Sequence, residues 1–158
     1  MSVAALKYIS PEEYLTIERA APTKSEYING VMYALAGASR EHILIVGSCG
    51  RELGNQLRNK PCEVYSADMR VNVRSKGLYT YPDIAVVRGQ PEFIDSQVDT
   101  LLNPTVIIEV LSPSTAGYDI GAKWEYYRAV SSLQEYLLIW QDRPRFKDTR
   151  SNPKAGGC

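Results

Sequence analysis

The sequence predicts a single α/β domain of the mixed (α+β) kind, with a central mixed β-sheet flanked by helices. The chain has 158 residues, of which 44% are hydrophobic, and this is enough for one core and too little for two ordinary domains. Segments with the apolar spacing of helices occur between short runs rich in β-branched and aromatic residues, which are typical of strands. Asn29-Gly30 stands between two apolar runs, which is a strong signal for a β-hairpin.

The N-terminal part of the chain predicts a helix followed by this hairpin. Ser10-Pro11-Glu12-Glu13 combines an N-cap serine, a proline at the first helical position and a glutamate three residues after the cap, so a short helix is expected to about Arg19. The hairpin is expected within Lys24–Leu35, and Glu26 therefore lies on its first strand.

A second helix is expected from Ser39 to near Pro61, with one apolar face and three glycines that lower its stability but permit close packing. The other predicted elements are strands over Glu63–Tyr65, Met69–Val73, Tyr79–Val87, Pro104–Leu111 and Glu135–Trp140, and a helix over Asp119–Val130. Residues from Gln141 onward are polar and show little periodicity. We therefore expect the domain to span residues 1–141 and residues 142–158 to form a solvated tail.

The charge and cysteine content of the chain exclude several classes of protein. Eighteen Lys and Arg residues balance eighteen Asp and Glu residues, so contact with nucleic acid requires a local patch and not net charge. The three cysteines are odd in number and widely spaced, which is atypical of zinc sites and disulfide frameworks: Cys49, Cys62 and Cys158. No signal-peptide core precedes Pro11 and no apolar run is long enough to cross a bilayer, so we expect a cytoplasmic protein with no membrane partner.

Two carboxylates stand in strongly apolar predicted strands. Glu109 lies within Val106–Leu111, where a carboxylate is costly to bury unless it is neutralised or bound. Asp83 lies near the start of the apolar run Tyr81–Val87. Two adjacent strands that each offer one carboxylate can hold a hard cation such as Mg²⁺, with water and a substrate phosphate as further ligands. The alternative is that Glu109 faces solvent or pairs with a lysine and that Asp83 serves a local turn.

Asp119, Lys123 and Tyr127 follow one another at intervals of four residues, so they share one stripe of a helix. A lysine ammonium near a metal ion could orient the attacking water and offset the charge on a phosphate. The other interpretation is a surface ion pair between Asp119 and Lys123, worth only about a few tenths of a kcal/mol. The spacing leaves both interpretations open.

Several short motifs occur in a fixed order along the chain: Glu26 before Asn29-Gly30, then Tyr81-Pro82-Asp83, Glu109 to Thr115, Asp119, Lys123 and Tyr126-Tyr127, and Glu135 to Ile139. In this order they resemble the Uma-two family of endonucleases, which belongs to the PD-(D/E)xK nucleases. The resemblance extends from about Tyr8 to Gln141. It implies a restriction endonuclease-like core in which Asp83 and Glu109 are metal ligands, and Glu26 matches an additional acidic residue of the family.

The sequence departs from the family pattern at two places. The lysine of the superfamily normally follows two residues after the second acid, where this chain has Leu111; Lys123 resembles a relocated equivalent that reaches the site from the following helix. Similar chains usually carry another strand or two beyond the segment that matches Glu135–Trp140. The polar segment that follows here predicts a sheet with an uncovered edge.

Other polar residues offer weaker signals. His42 is the only histidine, and helix-face packing or a peripheral contact is the interpretation preferred over a catalytic role. Gly37-Ala38-Ser39 lacks the pattern of a nucleotide-binding loop, and Ser112 to Thr115 is expected to turn the chain and cap a helix, although contact with a substrate phosphate is an alternative. Four basic residues either form a rim near the metal or are ordinary solvated charges: Arg70, Arg74, Lys76 and Arg88.

The function expected from these features is cleavage of DNA that depends on Mg²⁺ or Mn²⁺. Asp83 and Glu109 would hold the ion, Lys123 would align the attacking water, and Glu26 would steady a water or a second ion. The alternative is a nuclease-fold domain that binds nucleic acid or a protein partner without catalysis, which Leu111 favours. Cutting both strands of a duplex calls for two active sites, so a homodimer is expected.

Overall fold

Two five-stranded sheets form the framework of residues 7–150, the part of the chain that the computed structural model describes. From edge to edge, the first sheet contains β2 (Val31–Ala34), β1 (Ser25–Ile28), β5 (Leu78–Thr80), β4 (Arg70–Val73) and β7 (Thr100–Leu101). The second sheet contains β10 (Phe146–Arg150), β9 (Glu135–Trp140), β8 (Val106–Leu111), β6 (Ile84–Arg88) and β3 (Cys62–Ser66). The pairs β4–β7 and β8–β9 are parallel and the others are antiparallel, so both sheets are mixed.

Four α-helices accompany the sheets in this part of the chain: α1 (Pro11–Ala20), α2 (Arg40–Gln56), α3 (Ala116–Ile120) and α4 (Ala122–Tyr127). The predicted class, a mixed α/β domain with helices beside a mixed sheet, is thereby confirmed. Across residues 7–150, none of the helices combines the length and the apolar character needed to traverse a bilayer.

The chain changes sheets at Tyr81-Pro82-Asp83, and this is where the sequence-based prediction of one central sheet is wrong. Tyr79–Val87 was expected to be one strand. Instead β5 ends at Thr80 in the first sheet and β6 begins at Ile84 in the second. Proline has no N–H to donate to a strand ladder, so Pro82 favours a break at this point. As a result, Asp83 lies at the junction of the two sheets.

The predicted N-terminal helix and hairpin are confirmed. At the start of α1 the Ser10 side chain accepts from the Glu13 amide at 3.1 Å, and the Ser10 amide donates to the Glu13 carboxylate at 2.8 Å. In the hairpin turn Asn29 and Gly30 have φ of 45° and 97°, which both residue types tolerate. A Cβ atom on Gly30 would also lie 2.8 Å from the ring of Tyr8, an exposed side chain that would have to shift.

Helix α2 begins after an N-cap at Ser39, as predicted, and covers one face of the second sheet. Its inner face contributes Val46, Cys49, Leu53 and Leu57, which pack against Ile84, Val86 and Ile108. The close packing that Gly47, Gly50 and Gly54 permit is not used, because no heavy atom beyond the helix's own backbone lies within 4 Å of a Cβ built on any of them. These glycines lie outside the contact with the sheet, so the absence of their side chains does not bring the helix nearer to another element.

The predicted helix over Asp119–Val130 is two short helices that meet at Gly121. Glycine is a poor helix former, and a Cβ at Gly121 would approach the Gly117 carbonyl to 3.2 Å. The break leaves Asp119 at the end of α3 and Lys123 near the start of α4, and their side chains are still in contact at 3.3 Å.

The expectation of a solvated tail from residue 142, and of an uncovered edge on the preceding strand, is wrong for residues 146–150. These residues form β10, which pairs antiparallel with the whole length of β9. Backbone hydrogen bonds are sufficient to pair a strand with the edge of a sheet. A strand such as β10, which is exposed on both faces, therefore needs no alternating apolar residues. Residues 151–158, including Cys158, lie outside the described residues.

A core of aromatic and aliphatic residues fixes α4 against β8 and β9. Its most buried members are at most 1% exposed: Leu78, Ile107, Tyr127, Leu133, Tyr136 and Leu138. Trp124 of α4 stacks on Tyr136 with ring centroids 5.7 Å apart. This packing sets the position of every side chain that α4 presents to the sheets.

We expect Leu138→Ala to lower the free energy of unfolding by about 2–5 kcal/mol, because it removes a fully buried side chain and leaves a cavity beside α4. Urea unfolding followed by circular dichroism measures the loss. Phe146→Ala, on neighbouring β10 with a side chain 74% exposed, is the control and should change stability by less than about 0.5 kcal/mol. Equal losses in the two variants would contradict this description of the core.

Candidate active site

Glu109 is a buried carboxylate in the middle of the second sheet, 3% exposed. Strand alternation places it on the same face of β8 as Ile107 and Leu111, which belong to the core around Tyr127. Its Oε1 accepts from Lys123 Nζ at 2.8 Å and from the Tyr127 hydroxyl at 3.1 Å. The solvent-facing interpretation is therefore wrong, and pairing with a lysine is correct.

Burial raises the pKa of Glu109 to about 8, and the Lys123 ammonium opposes this shift while the carboxylates of Asp83 and Asp119 add to it. Burial also raises the pKa of Tyr127, and the Glu109 carboxylate raises it further. Tyr127 therefore keeps its proton and acts as a hydrogen-bond donor. The Lys123 ammonium therefore does not cancel the effect of burial on the pKa of Glu109.

Asp83 lies directly across from Glu109. Because Ile84 of β6 pairs with Ile108 of β8 in an antiparallel register, the residues beyond them, Asp83 and Glu109, are opposite each other on the same face. Asp83 Oδ2 accepts from the Val110 amide at 2.7 Å, and the Asp83 amide lies 3.4 Å from Glu109 Oε2. The strand pairing thus brings together the two carboxylates singled out in the sequence.

Lys123 is a buried ammonium surrounded by three carboxylates. Its Nζ lies 2.8 Å from Glu109 Oε1, 3.3 Å from Asp119 Oδ1 and 3.6 Å from Glu26 Oε1, and its side chain is 7% exposed. Burial lowers the pKa of Lys123, but the neighbouring carboxylates together raise it well above its ordinary value. The interpretation as a surface ion pair between Asp119 and Lys123 is therefore wrong.

Glu26 reaches the same group from β1 in the first sheet. Its Oε1 accepts from the Thr80 hydroxyl at 2.5 Å, and the Tyr118 hydroxyl donates to Oε2 at 3.3 Å. Lys123 contacts both Glu26 and Glu109, so these two carboxylates share one cation. The ammonium thereby connects the two sheets.

The donor groups of the site fit a hard divalent cation held by two carboxylates. Within residues 7–150, no group of three or more His, Cys, Asp or Glu residues is arranged to hold a metal ion, and Glu26 as a third ligand stays a prediction from the sequence. Mg²⁺ is commonly held through one or two carboxylates, with waters and substrate oxygens as its other ligands. Asp83 and Glu109 meet that requirement. The hydrogen bond that Glu109 Oε2 accepts from the Asp83 amide is long, at 3.4 Å.

A cleft of about 770 Å³ opens onto this group. The four residues predicted for the site all line the cleft: Glu26, Asp83, Glu109 and Lys123. Asp119 and His42 line it as well. The loops Gly37–Ser39 and Ser112–Thr115 also form part of its wall. In the second loop the Ser112 hydroxyl lies 3.0 Å from that of Ser114 and 2.9 Å from that of Thr115, so the hydroxyls turn the chain beside the cleft.

His42 is the residue whose place in the site was underestimated from the sequence. Its Nε2 lies 2.8 Å from Asp83 Oδ1, and the two side chains are 17% and 15% exposed. A signal was present: His42 stands four residues before Val46 and seven before Cys49, so it is a polar residue at the head of the stripe that faces the sheet.

The predicted basic rim does not form. None of its four residues lines the cleft: Arg70, Arg74, Lys76 and Arg88. Arg70 is buried and donates to Thr100 at 2.9 Å and to the Tyr81 hydroxyl at 2.7 Å, and it pairs with Asp99 at 3.0 Å. It therefore stabilises the first sheet instead of facing a substrate.

Comparison with known proteins gives matches over most of the chain. The profile of the Uma2 family, with the description "Putative restriction endonuclease", matches residues 11–154. The uncharacterized protein sll1609 of Synechocystis sp. is 39% identical over 141 residues, which cover 89% of this chain and 80% of that protein. A second Synechocystis protein, the uncharacterized protein slr1290, is 36% identical over 131 residues, covering 83% of this chain and 68% of its own length.

A solved structure shares the fold. The crystal structure of a "putative nuclease belonging to DUF820" from Anabaena variabilis superposes with a TM-score of 0.69 and covers 93% of this chain and 87% of that one. Its sequence identity is 20%, so the likeness concerns the architecture. The two proteins therefore share one overall architecture.

We expect Lys123→Met to lower the free energy of unfolding by about 3–5 kcal/mol, because it leaves buried carboxylates without their cation. Adding Glu109→Gln should recover part of the loss, since the two residues interact directly. Urea unfolding of both single variants and the double variant measures the coupling. Lys147→Met, an exposed position on β10, should change stability by less than about 0.5 kcal/mol, and a similar loss there would contradict the role of Lys123.

Proposed function

Because this chain belongs to the Uma2 family, described as "Putative restriction endonuclease", we propose that it is a metal-dependent endonuclease that hydrolyses phosphodiester bonds in DNA. The observation that carries the proposal is the meeting of Asp83 and Glu109, from neighbouring strands, in one cleft with the Lys123 ammonium 2.8 Å from Glu109. Opposed carboxylates that can hold a divalent cation, beside a fixed ammonium, are suited to a phosphate whose negative charge increases during hydrolysis.

Asp83 and Glu109 would hold Mg²⁺ or Mn²⁺ through their carboxylate oxygens. When bound, such an ion supplies Lewis-acid stabilisation of the phosphate and of the leaving sugar oxygen. The chain prepares the two carboxylates for this task. The Val110 amide and His42 fix the orientation of Asp83, and Tyr127 and Lys123 fix Glu109 from the opposite side.

In this proposal Lys123 aligns the water that adds to phosphorus while the bond from phosphorus to the leaving oxygen breaks. Three carboxylates hold the Lys123 ammonium in one position, so little reorganisation is needed during the reaction. Leu111 occupies the position where the superfamily normally has its lysine, and it packs in the core. Lys123 supplies a cation to Glu109 from α4 instead.

Glu26 is proposed to steady Lys123, or a water beside it, from the first sheet. The Thr80 and Tyr118 hydroxyls hold its carboxylate in place. A second metal ion at Glu26, a homodimer and a cytoplasmic location remain predictions from the sequence. The alternative function, a domain that binds nucleic acid or protein without catalysis, keeps the same cleft and predicts no cleavage.

We expect Mn²⁺ to raise the melting temperature of the protein, and Asp83→Asn and Glu109→Gln each to abolish this shift, because stabilisation by a ligand requires its binding site. Both variants should also lose metal-dependent cleavage of supercoiled DNA. Differential scanning fluorimetry and gel electrophoresis measure the two effects. Glu125→Gln, which changes an exposed carboxylate paired with Arg128, is the matched control and should behave as the parent protein.

The outcomes separate the two candidate functions. A metal-dependent shift without cleavage of DNA would favour the binding domain. The absence of both the shift and cleavage in the parent protein would contradict the endonuclease. Cleavage that persists equally in all variants would indicate a contaminating nuclease.

We further propose that His42 is a positioning residue, which donates from Nε2 to Asp83 and so sets the direction of that carboxylate. His42→Leu should then lower metal affinity or cleavage about 10–100-fold, as loss of a partner of a metal ligand does. His42→Gln should retain most of both, because its amide can donate at a similar reach. Mn²⁺ titrations followed by fluorimetry, together with kcat and KM, measure the effect; equal loss in both variants would show that donation to Asp83 is not the role.

A further inference from the structure

The cleft combines carboxylates at its floor with an aliphatic wall. Resting on the nuclease activity proposed above, we infer that the substrate is single-stranded or locally unpaired DNA, with one base packed against an apolar wall formed by Leu35, Ile43 and Val46. The inference rests on the depth of the carboxylates, the chemistry of this wall and the distribution of positive charge.

The reacting groups lie at the floor of the cleft and not at the protein surface. The side chains of Glu26, Glu109, Asp119 and Lys123 are 4–7% exposed, and Asp83 is 15% exposed. A phosphate must enter the cleft to reach them. The cleft volume of about 770 Å³ is that of a small-ligand site, whereas the phosphates of a duplex are carried on the outside of a wide and stiff rod. A single strand can bend a nucleotide or two into such a space.

One wall of the cleft is aliphatic. Leu35 precedes α2, and Ile43 and Val46 belong to its first two turns. Ile43 is 59% exposed although it is a large apolar residue. Nucleases and other proteins that handle unpaired strands pack bases against aromatic or apolar side chains, and such contacts accept any base because every base has a flat apolar face. In a duplex these faces are stacked on one another and are not available to Ile43.

Few positively charged side chains line the cleft. Binding through the phosphate backbone requires several free Lys and Arg contacts. Among the residues that line the cleft the only Lys or Arg side chains are Lys24 and Lys123. Lys24 pairs with Asp68 at 3.0 Å, and Lys123 is surrounded by carboxylates. Contact between a base and the apolar wall therefore has to supply the binding affinity that contacts with the phosphate backbone do not.

The test compares an end-labelled oligonucleotide with the same oligonucleotide annealed to its complement. Fluorescence anisotropy with Ca²⁺ in place of Mg²⁺ measures binding, and gel electrophoresis with Mg²⁺ or Mn²⁺ measures cleavage. We expect the unpaired strand to bind at least about tenfold more tightly and to be cut faster, since only its bases reach the wall. Duplex binding or cleavage equal to or better than that of the single strand would overturn the inference.

Two neighbouring residues of α2 provide a matched pair of variants. Ile43 lines the cleft, whereas Leu44 is similarly exposed, at 52%, but does not line it. Ile43→Ser should weaken binding of the single strand about fivefold to tenfold, and Leu44→Ser should leave it unchanged. Equal effects of the two substitutions would exclude a base contact at Ile43.

The results also separate this inference from the proposed activity. Cleavage of the duplex in preference to the single strand would support the endonuclease and overturn the unpaired substrate. Preferential binding of the single strand without any cleavage would support the cleft assignment and contradict the endonuclease. Binding of neither strand would overturn the inference.

Discussion

The ion pair between Lys123 and Glu109 is the constraint on which the site depends. A buried carboxylate or ammonium is strongly unfavourable alone, and the two are tolerated here because each is the partner of the other. The pair also has further partners, since Glu26 and Asp119 contact the same ammonium and Tyr127 donates to the same carboxylate. Four separate parts of the chain, β1, β8, α3 and α4, are thereby held at one point.

The passage of the chain from the first sheet to the second opens the cleft above the Lys123–Glu109 ion pair. A continuous strand over Tyr79–Val87 would have kept the chain in one sheet. Because the strand breaks at Pro82, the first sheet contributes Glu26 and Thr80 on one side of the cleft, and the second contributes Glu109 on the other. Asp83 stands at the junction, where α2 can reach it through His42. The same break that divides the fold into two sheets therefore creates the space into which a substrate can enter.

The sequence predicted the chemistry of the site better than its surroundings. Glu109 in an apolar strand and the spacing of Asp119, Lys123 and Tyr127 are local signals, and both were sufficient to identify groups that the fold brings together. The spacing of α2 places His42 on the stripe that faces the sheet, but its pairing with Asp83 is a long-range contact whose partner the sequence alone does not identify. Strand β10 was not predicted for a different reason. An edge strand exposed on both faces is held by backbone hydrogen bonds and carries no periodic side-chain pattern.

The balance of charge in the cleft connects its chemistry to the way in which a strand would be recognised. Three carboxylates surround Lys123, and Asp83 pairs with His42 beside them, so negative charge predominates at the cleft floor. The chain by itself therefore repels a phosphate from the groups that are proposed to act on it. Burial strengthens this repulsion, because charges in a poorly solvated site are weakly screened. A divalent cation at Asp83 and Glu109 would reverse the local field, whereas the aliphatic wall is unaffected by charge. In the proposed mechanism, α2 would recognise the base and the carboxylates would accept the phosphate through the cation, so the two tasks belong to separate parts of the cleft.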